Sequence, residues 1–174
     1  MPEAVTAAPP RPSFDALVER ARSAGPPLDC AVVHPCSADA LRGALDAAAA
    51  GLIRPVLVGP PARIQAVAEA AGIDLAGVPV EAAPHSHAAA ARAVALCRDG
   101  RVAMLMKGSL HTDELLAEVV ARESGLRTER RVSHVFVLAV PAYAKPLFVT
   151  DAAVNIAPNL ETKADIARNA IDLC

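Results

Sequence analysis

Tryptophan is absent from this 174-residue chain, and one tyrosine and three phenylalanines bring the aromatic content to only 2%. Single-stranded nucleic acid is gripped by aromatic platforms interleaved with basic residues, and neither feature is present in quantity. The 17 basic and 19 acidic residues are spread along the chain and leave a net charge of −2. The strongly apolar runs are about the length of a strand, far below the ~18–20 residues a spanning helix needs. The composition therefore argues against a nucleic-acid partner and against a membrane. Residues 1–13 are rich in proline and alanine, without the cationic start and apolar middle of a signal peptide. They read as a disordered leader on a soluble, cytoplasmic protein.

Cysteine is scarce and unpatterned. Cys30, Cys36, Cys97 and Cys174 form no C-x-x-C pair and have no histidine at zinc spacing. Cys30 and Cys97 sit in apolar segments and read as small buried hydrophobes. Cys36 follows a strand end, which leaves a reactive thiol open beside the buried one.

What the chain does have is aliphatic residues in alternating patterns. It is 53% hydrophobic, so its core must be built from Ala, Val, Leu and Ile, a composition suited to helices packed closely on a parallel sheet. Residues 14–24 suggest a short amphipathic helix, and 28–33 a buried strand. Ser37 then caps a helix that closes at Gly51. A second strand is expected over 55–58, a proline-led helix ending at Gly72, and a weak third strand over 78–81. The next helix spans about 86–98, turns at Asp99-Gly100 and leads to a fourth strand over 102–106. Strands and helices alternating at this spacing make an α/β fold, a parallel sheet with flanking helices.

The texture changes after Gly125. A basic connection leads to an apolar stretch, 132–140, expected as one long strand, followed by a turn at Pro141-Ala142-Tyr143 and a second strand over 147–150. A final helix begins near Leu160. Two strands and a helix are too few to cover both faces of a sheet. The expected organisation is thus a leader over 1–13, an α/β domain over 14–128, and an incomplete second α/β domain over 129–174.

Polar residues at strand carboxyl ends are the places to look for chemistry, because open parallel sheets bind small ligands there. Lys107, Gly108, Ser109, His111 and Thr112 form one such turn. As an anion pocket, its glycine admits a close backbone approach, its hydroxyls donate, its lysine neutralises charge, and a helix amino end offers free N–H groups. As an ordinary helix start, Thr112 is the N-cap and Lys107 is solvated. Asp151 and Asn155, after the last strand, either orient a ligand or close a local turn. Ser133 and His134 head the long strand, where His134 is an acid/base candidate or a half-buried strand residue. The pair His85 and His87 lacks a third metal ligand at a recognisable spacing and suits a helix amino end. Arg127, Arg130 and Arg131 suit either the phosphates of a nucleotide-like cofactor or a solvated connection.

At these residues the sequence resembles the phosphate acetyltransferase and phosphate butyryltransferase family. The segments that carry the likeness are MKGSLHTDELLAEVV (106–120), GLRTERRVSHVFVL (125–138) and FVTDAAVNIAPNLETKADIARNAIDL (148–173), supported by 47–60 and 84–100. The resemblance implies a reversible reaction in which acyl-CoA and phosphate give acyl phosphate and free coenzyme A. It also implies two α/β domains like those of isocitrate and isopropylmalate dehydrogenases, with the site in the cleft between them, and a homodimer. Coenzyme A is then a substrate, and neither a metal nor a nicotinamide is expected.

Family members are roughly twice this length, so the likeness is to an amino-terminal half. The family's catalytic aspartate, with a nearby serine and arginine, is expected beyond Cys174. Only Lys107, Gly108, Ser109, His111, Thr112, Ser133, Asp151 and Asn155 carry over as phosphate- or substrate-binding candidates. Two other readings stand beside this one. A dehydrogenase relative would bind nicotinamide, but no G-x-G-x-x-G turn follows a strand here. A non-catalytic phosphate- or CoA-binding subunit would need a separately encoded complementary half.

Overall fold

The computed structural model describes residues 14–140, 143 and 145–174. The expected leader, 1–13, lies outside the described residues. In chain order the elements are α1 (Phe14–Ser23), β1 (Leu28–Val33), α2 (Ala38–Ala49), β2 (Ile53–Gly59), α3 (Pro61–Ala71), β3 (Val80–Ala82), α4 (Ser86–Arg98), β4 (Met104–Lys107), α5 (Thr112–Val119), β5 (Val135–Leu138), β6 (Leu147–Thr150) and α6 (Leu160–Leu173). They group into two compact units, Ala21–Arg127 and Thr128–Cys174, the second together with α1 as far as Arg20.

In the first unit four parallel strands lie in the order β3-β2-β1-β4. The most apolar strand, β1, takes an inner position, and Ala31, Val32 and Val33 are fully buried. Alternate residues of a strand face opposite sides of a sheet, which gives the unit two cores. Ala31, Val33 and Val58 pack with Ala89, Ala90, Ala93 and Leu96 of α4 and Leu115 of α5. Val32 and Leu57 pack with Leu41 and Ala44 of α2 and Ile64 and Ala68 of α3. The alanines are what let these helices lie close to the sheet in a chain almost without aromatics.

Helix ends follow local chemistry. Ser37 Oγ accepts from the Ala40 amide at the start of α2, and Gly72 ends α3 with φ +64°. Strand ends drift more. β2 is longer than expected at both ends. Val78 is not in β3 because its amide closes a turn onto Leu75 O at 3.0 Å. β4 starts at Met104 and includes Lys107, which pairs with Val33.

The second unit pairs β5 and β6 antiparallel, with α6 against β6. The expected long strand shrinks to four residues for a specific reason. Side chains claim the backbone ahead of β5: Asp165 accepts from Arg131 N, Asn169 donates to Arg131 O, Asn155 donates to Val132 O, Asp151 accepts from His134 N and Thr150 donates to His134 O. Of the expected turn, Pro141 and Ala142 lie outside the described residues, and Tyr143 N donates to Val140 O at 2.9 Å. Among the described residues no helix is long and apolar enough to cross a membrane.

Candidate functional site

Because β2 lies on one side of β1 and β4 on the other, the chain reverses direction across the sheet between β1 and β4. At such a switch point the loops after the two strands diverge to opposite faces and leave a crevice at their carboxyl ends. The residues at that point are those after Val33 and those after Lys107, which stand in register.

The two loops are stitched together. Gly108 N donates to Val33 O and Ser109 N to His34 O, each at 2.9 Å. This approach requires a glycine: a Cβ on residue 108 would lie 2.4 Å from Val33 O. His34 is 5% exposed and holds φ +52°, a left-handed conformation unusual for a residue with a side chain. Its Nδ1 lies 2.9 Å from Ser109 O. A carbonyl oxygen only accepts, so Nδ1 carries the proton and points it into the turn. Ser109 Oγ then donates to Ser37 Oγ at 2.7 Å, tying the turn to the amino end of α2.

Lys107 has a further role in the turn. The residue is exposed, and its ammonium folds back on the turn: Nζ donates to Leu110 O at 2.8 Å and to Gly108 O at 3.3 Å. It therefore clips the turn while keeping its charge beside it. The N-cap of α5 is His111, without a side-chain cap bond, and Thr112 is the first helical residue; this corrects the expectation of Thr112 as N-cap. Glu114 is drawn toward α4. The Ser86 hydroxyl holds its carboxyl below the usual range against partial desolvation, and its Oε2 lies 3.6 Å from His87 Nδ1.

Ser133, Asp151 and Asn155 fall in the second unit. Asp151 Oδ1 accepts from the amides of His134, Ala153 and Val154 at 3.0, 3.4 and 3.3 Å. Its Oδ2 accepts from Asn155 N at 2.8 Å and from the Asn155 side chain. Burial alone would raise its pKa, but the Asn155 amide and these backbone donors bring it down to about 2. The carboxylate is the organising centre of the turn over 151–155. Ser133 Oγ accepts from Asn169 Nδ2 at 2.9 Å. A depression of about 390 Å³ lies beside this turn, lined by Asp151, Asn155, Pro158, Lys163, Ile166 and Ala167 together with Thr150.

Four of the remaining candidates, His85, His134, Cys36 and Arg130, sit in local contacts. His85 caps α4, its Nδ1 accepting from Ala88 N at 3.3 Å. His134 stacks edge-on against Phe136 at 4.3 Å, and its buried Nδ1 has no hydrogen-bond partner among the described residues. Cys36 is buried, and desolvation pushes its thiol up, partly offset by Arg63, which removes the basis for a reactive thiolate. Arg130 pairs with Asp172. Among the described residues no group of three or more His, Cys, Asp and Glu is placed to hold a metal ion.

Sequence reasoning missed two participants, His34 and Ser37. Ser37 was visible only as a helix cap, and His34 only as the residue after a strand. The signal available was the polar run directly after β1, the counterpart of the run after β4.

Residues 79–174 match the family described as phosphate acetyl/butaryl transferase. The chain belongs to this family. A phosphate acetyltransferase of Rhizobium meliloti is 55% identical over 166 residues, covering 95% of this chain and 52% of that protein. A phosphate butyryltransferase of Clostridium acetobutylicum is 35% identical over 131 residues, covering 75% of this chain and 44% of that protein. A branched-chain phosphotransacylase from Enterococcus faecalis V583 superposes with a TM-score of 0.68 at 23% identity, over 84% of this chain and 50% of that one. That structure supports the fold: a parallel sheet with flanking helices. The chain spans about half the length of the curated relatives it matches.

Proposed function

We infer that this phosphate acetyl/butaryl transferase family member serves phosphoryl–acyl exchange: acetyl-CoA or butyryl-CoA plus phosphate gives acyl phosphate plus coenzyme A. The observation that carries the reading is the stitched turn at the switch point. Gly108 and Ser109 lead through His111, the N-cap, into α5 at Thr112, and Lys107 lays its ammonium across the turn. A helix amino end beside a fixed cation suits a phosphate, since unpaired N–H groups and positive charge act on the same oxygens.

The chemistry sets what such a turn must do. In the acyl-phosphate-consuming direction a CoA thiol, with an unperturbed pKa of ~8.5, attacks the acyl carbonyl and phosphate leaves. Donors held in place beforehand stabilise the departing phosphate without reorganising at the moment of reaction. The bonds from Gly108 and Ser109 to β1 and its loop supply that rigidity here. The general base belongs to the half of the relatives' length that this chain does not span. In the second unit Ser133, Asp151 and Asn155 shape a separate surface, with Asp151 as its organiser. The full-length assembly is a cytoplasmic homodimer, and the two units correspond to one α/β domain and part of another.

The half-length coverage leaves room for one second reading, a non-catalytic phosphate- or CoA-binding subunit with a separately encoded complementary half. A thiol-release assay separates the two. The chain alone should turn over little or nothing, and phosphate-dependent CoA release should appear when the relatives' carboxyl-terminal half is added. Lys107→Gln should then reduce that release at least about tenfold, the loss of one charged hydrogen-bonding group. Full activity from residues 1–174 alone would overturn the half-site assignment. Binding without turnover in the complemented mixture would favour the subunit.

A further inference from the structure

His34 has one polar atom left over. Its backbone N–H donates to Val58 O at 2.7 Å, and its carbonyl accepts from Cys36 N at 2.8 Å and from Ser109 N at 2.9 Å. Because Nδ1 donates to Ser109 O, Nε2 of the neutral ring is left as a lone-pair acceptor. Among the described residues Nε2 has no hydrogen-bond partner. It is not enclosed either: the buried side-chain polar atoms without a partner are Glu114 Oε2 and His134 Nδ1. A residue only 5% exposed therefore keeps a bare acceptor open to solvent at the carboxyl end of β1, where the crevice lies. The left-handed backbone, φ +52°, holds it there at a strain that glycine would avoid.

We propose that His34 is a specificity-determining residue of this crevice: Nε2 accepts a hydrogen bond from the hydroxyl of a bound hydrogen phosphate and so selects phosphate over sulfate. This rests on the phosphate reading of the turn over 107–112 given above. Inorganic phosphate keeps a hydroxyl throughout the neutral range, whereas sulfate, of the same tetrahedral shape, is fully ionised and offers only acceptors. The N–H groups at the start of α5 and the Lys107 ammonium suit the ionised oxygens of either anion, so they attract both without telling them apart. Against Nε2 a sulfate oxygen sets lone pair to lone pair, while a phosphate hydroxyl donates. One such contact, made or left unmade, is worth about tenfold in affinity.

Amide chemical-shift titrations of the uniformly ¹⁵N-labelled 174-residue chain test this, with inorganic phosphate, sulfate and monofluorophosphate at pH 8 and constant ionic strength. All three are then dianions, and monofluorophosphate keeps the phosphorus but carries fluorine in place of the hydroxyl. Phosphate should shift residues 108–112 at concentrations about tenfold below those the other two need. His34→Asn keeps a side-chain N–H at the place of Nδ1 and tolerates the left-handed backbone, but has no atom at the place of Nε2. It should bring the three anions to about equal affinity, mainly by weakening phosphate. Phosphate and monofluorophosphate binding alike to the parent would overturn the assignment and leave the phosphate turn standing. So would equal weakening of all three anions in His34→Asn, the result expected of a residue that only shapes the turn. No shift at 108–112 with any anion would remove the phosphate turn itself, and this selectivity with it.

Discussion

Ser109 Oγ donates to Ser37 Oγ at 2.7 Å, joining residues 72 apart in sequence across the mouth of the β1–β4 crevice. Ser37 Oγ also accepts from Ala40 N at 3.3 Å, so one hydroxyl caps α2 and anchors the turn after β4. The two serines are therefore unequal partners. Ser37→Ala removes the cap and the anchor together, whereas Ser109→Ala removes only the hydrogen bond. Urea denaturation should show Ser37→Ala more destabilising than Ser109→Ala by about 1 kcal/mol, the ordinary worth of a serine cap. The double variant should recover a coupling of about 1 kcal/mol. Strictly additive losses would mean that the hydrogen bond does not hold the two loops.

Gly108 is the tightest point of that junction. A Cβ there meets Val33 O at 2.4 Å and His34 O at 2.8 Å, both backbone atoms that cannot rotate away. Gly108→Ala must therefore push β4 from β1 or displace the turn, at a cost of about 1–3 kcal/mol as for other overpacked sites. The lowered thermal midpoint should come with altered amide shifts at Val33, His34 and Ser109. A variant as stable as the parent, with those amides unmoved, would show that the junction has slack.

Asp151 makes a prediction about acid. Its folded-state pKa of about 2 lies below the ~3.9 of an unfolded aspartate. A group depressed on folding stabilises the protein above its unfolded pKa and loses that contribution as pH falls through the folded one. Stability of the parent should therefore decline between about pH 4 and pH 2. Asp151→Asn should be less stable at pH 7, because one acceptor oxygen becomes a donor facing other donors, and should lose this step of the acid decline. Urea midpoints at pH 7, 4 and 2.5 for both proteins make the comparison.

The sequence carried the first unit well because its signals are local. Ser37 and Gly51 bound α2, Asp99-Gly100 ends α4, and the apolar run 28–33 has no other use than an inner strand. Long-range choices were not legible. The bond from His34 to Ser109 spans 75 residues and exists only because β4 adds beside β1 and not beside β3. Residues 132–134 lead directly into the apolar run of β5, yet Asp151, Asn155 and Thr150 take backbone groups of Val132 and His134 from positions 16 to 23 residues away. Lys107 was legible as a charge at the site but not as a clip, since its acceptors are carbonyls of a turn whose shape the sequence leaves open.

His34 separates the two roles a strained residue can have. Its left-handed backbone costs an L-residue about 1–2 kcal/mol, which glycine avoids, while glycine's extra freedom in the unfolded chain costs roughly 0.5–1 kcal/mol. His34→Gly should thus leave the backbone term near balance and remove only the ring and its bond to Ser109 O. His34→Ala removes the same bond and keeps the strain, so it should be the less stable of the two by about 1 kcal/mol. If the ring's purpose is to fix the turn, both variants should weaken phosphate-induced shifts at residues 108–112 to the same degree despite their different stabilities. If phosphate response instead tracks stability, His34 supports the fold alone and the turn holds its shape without it.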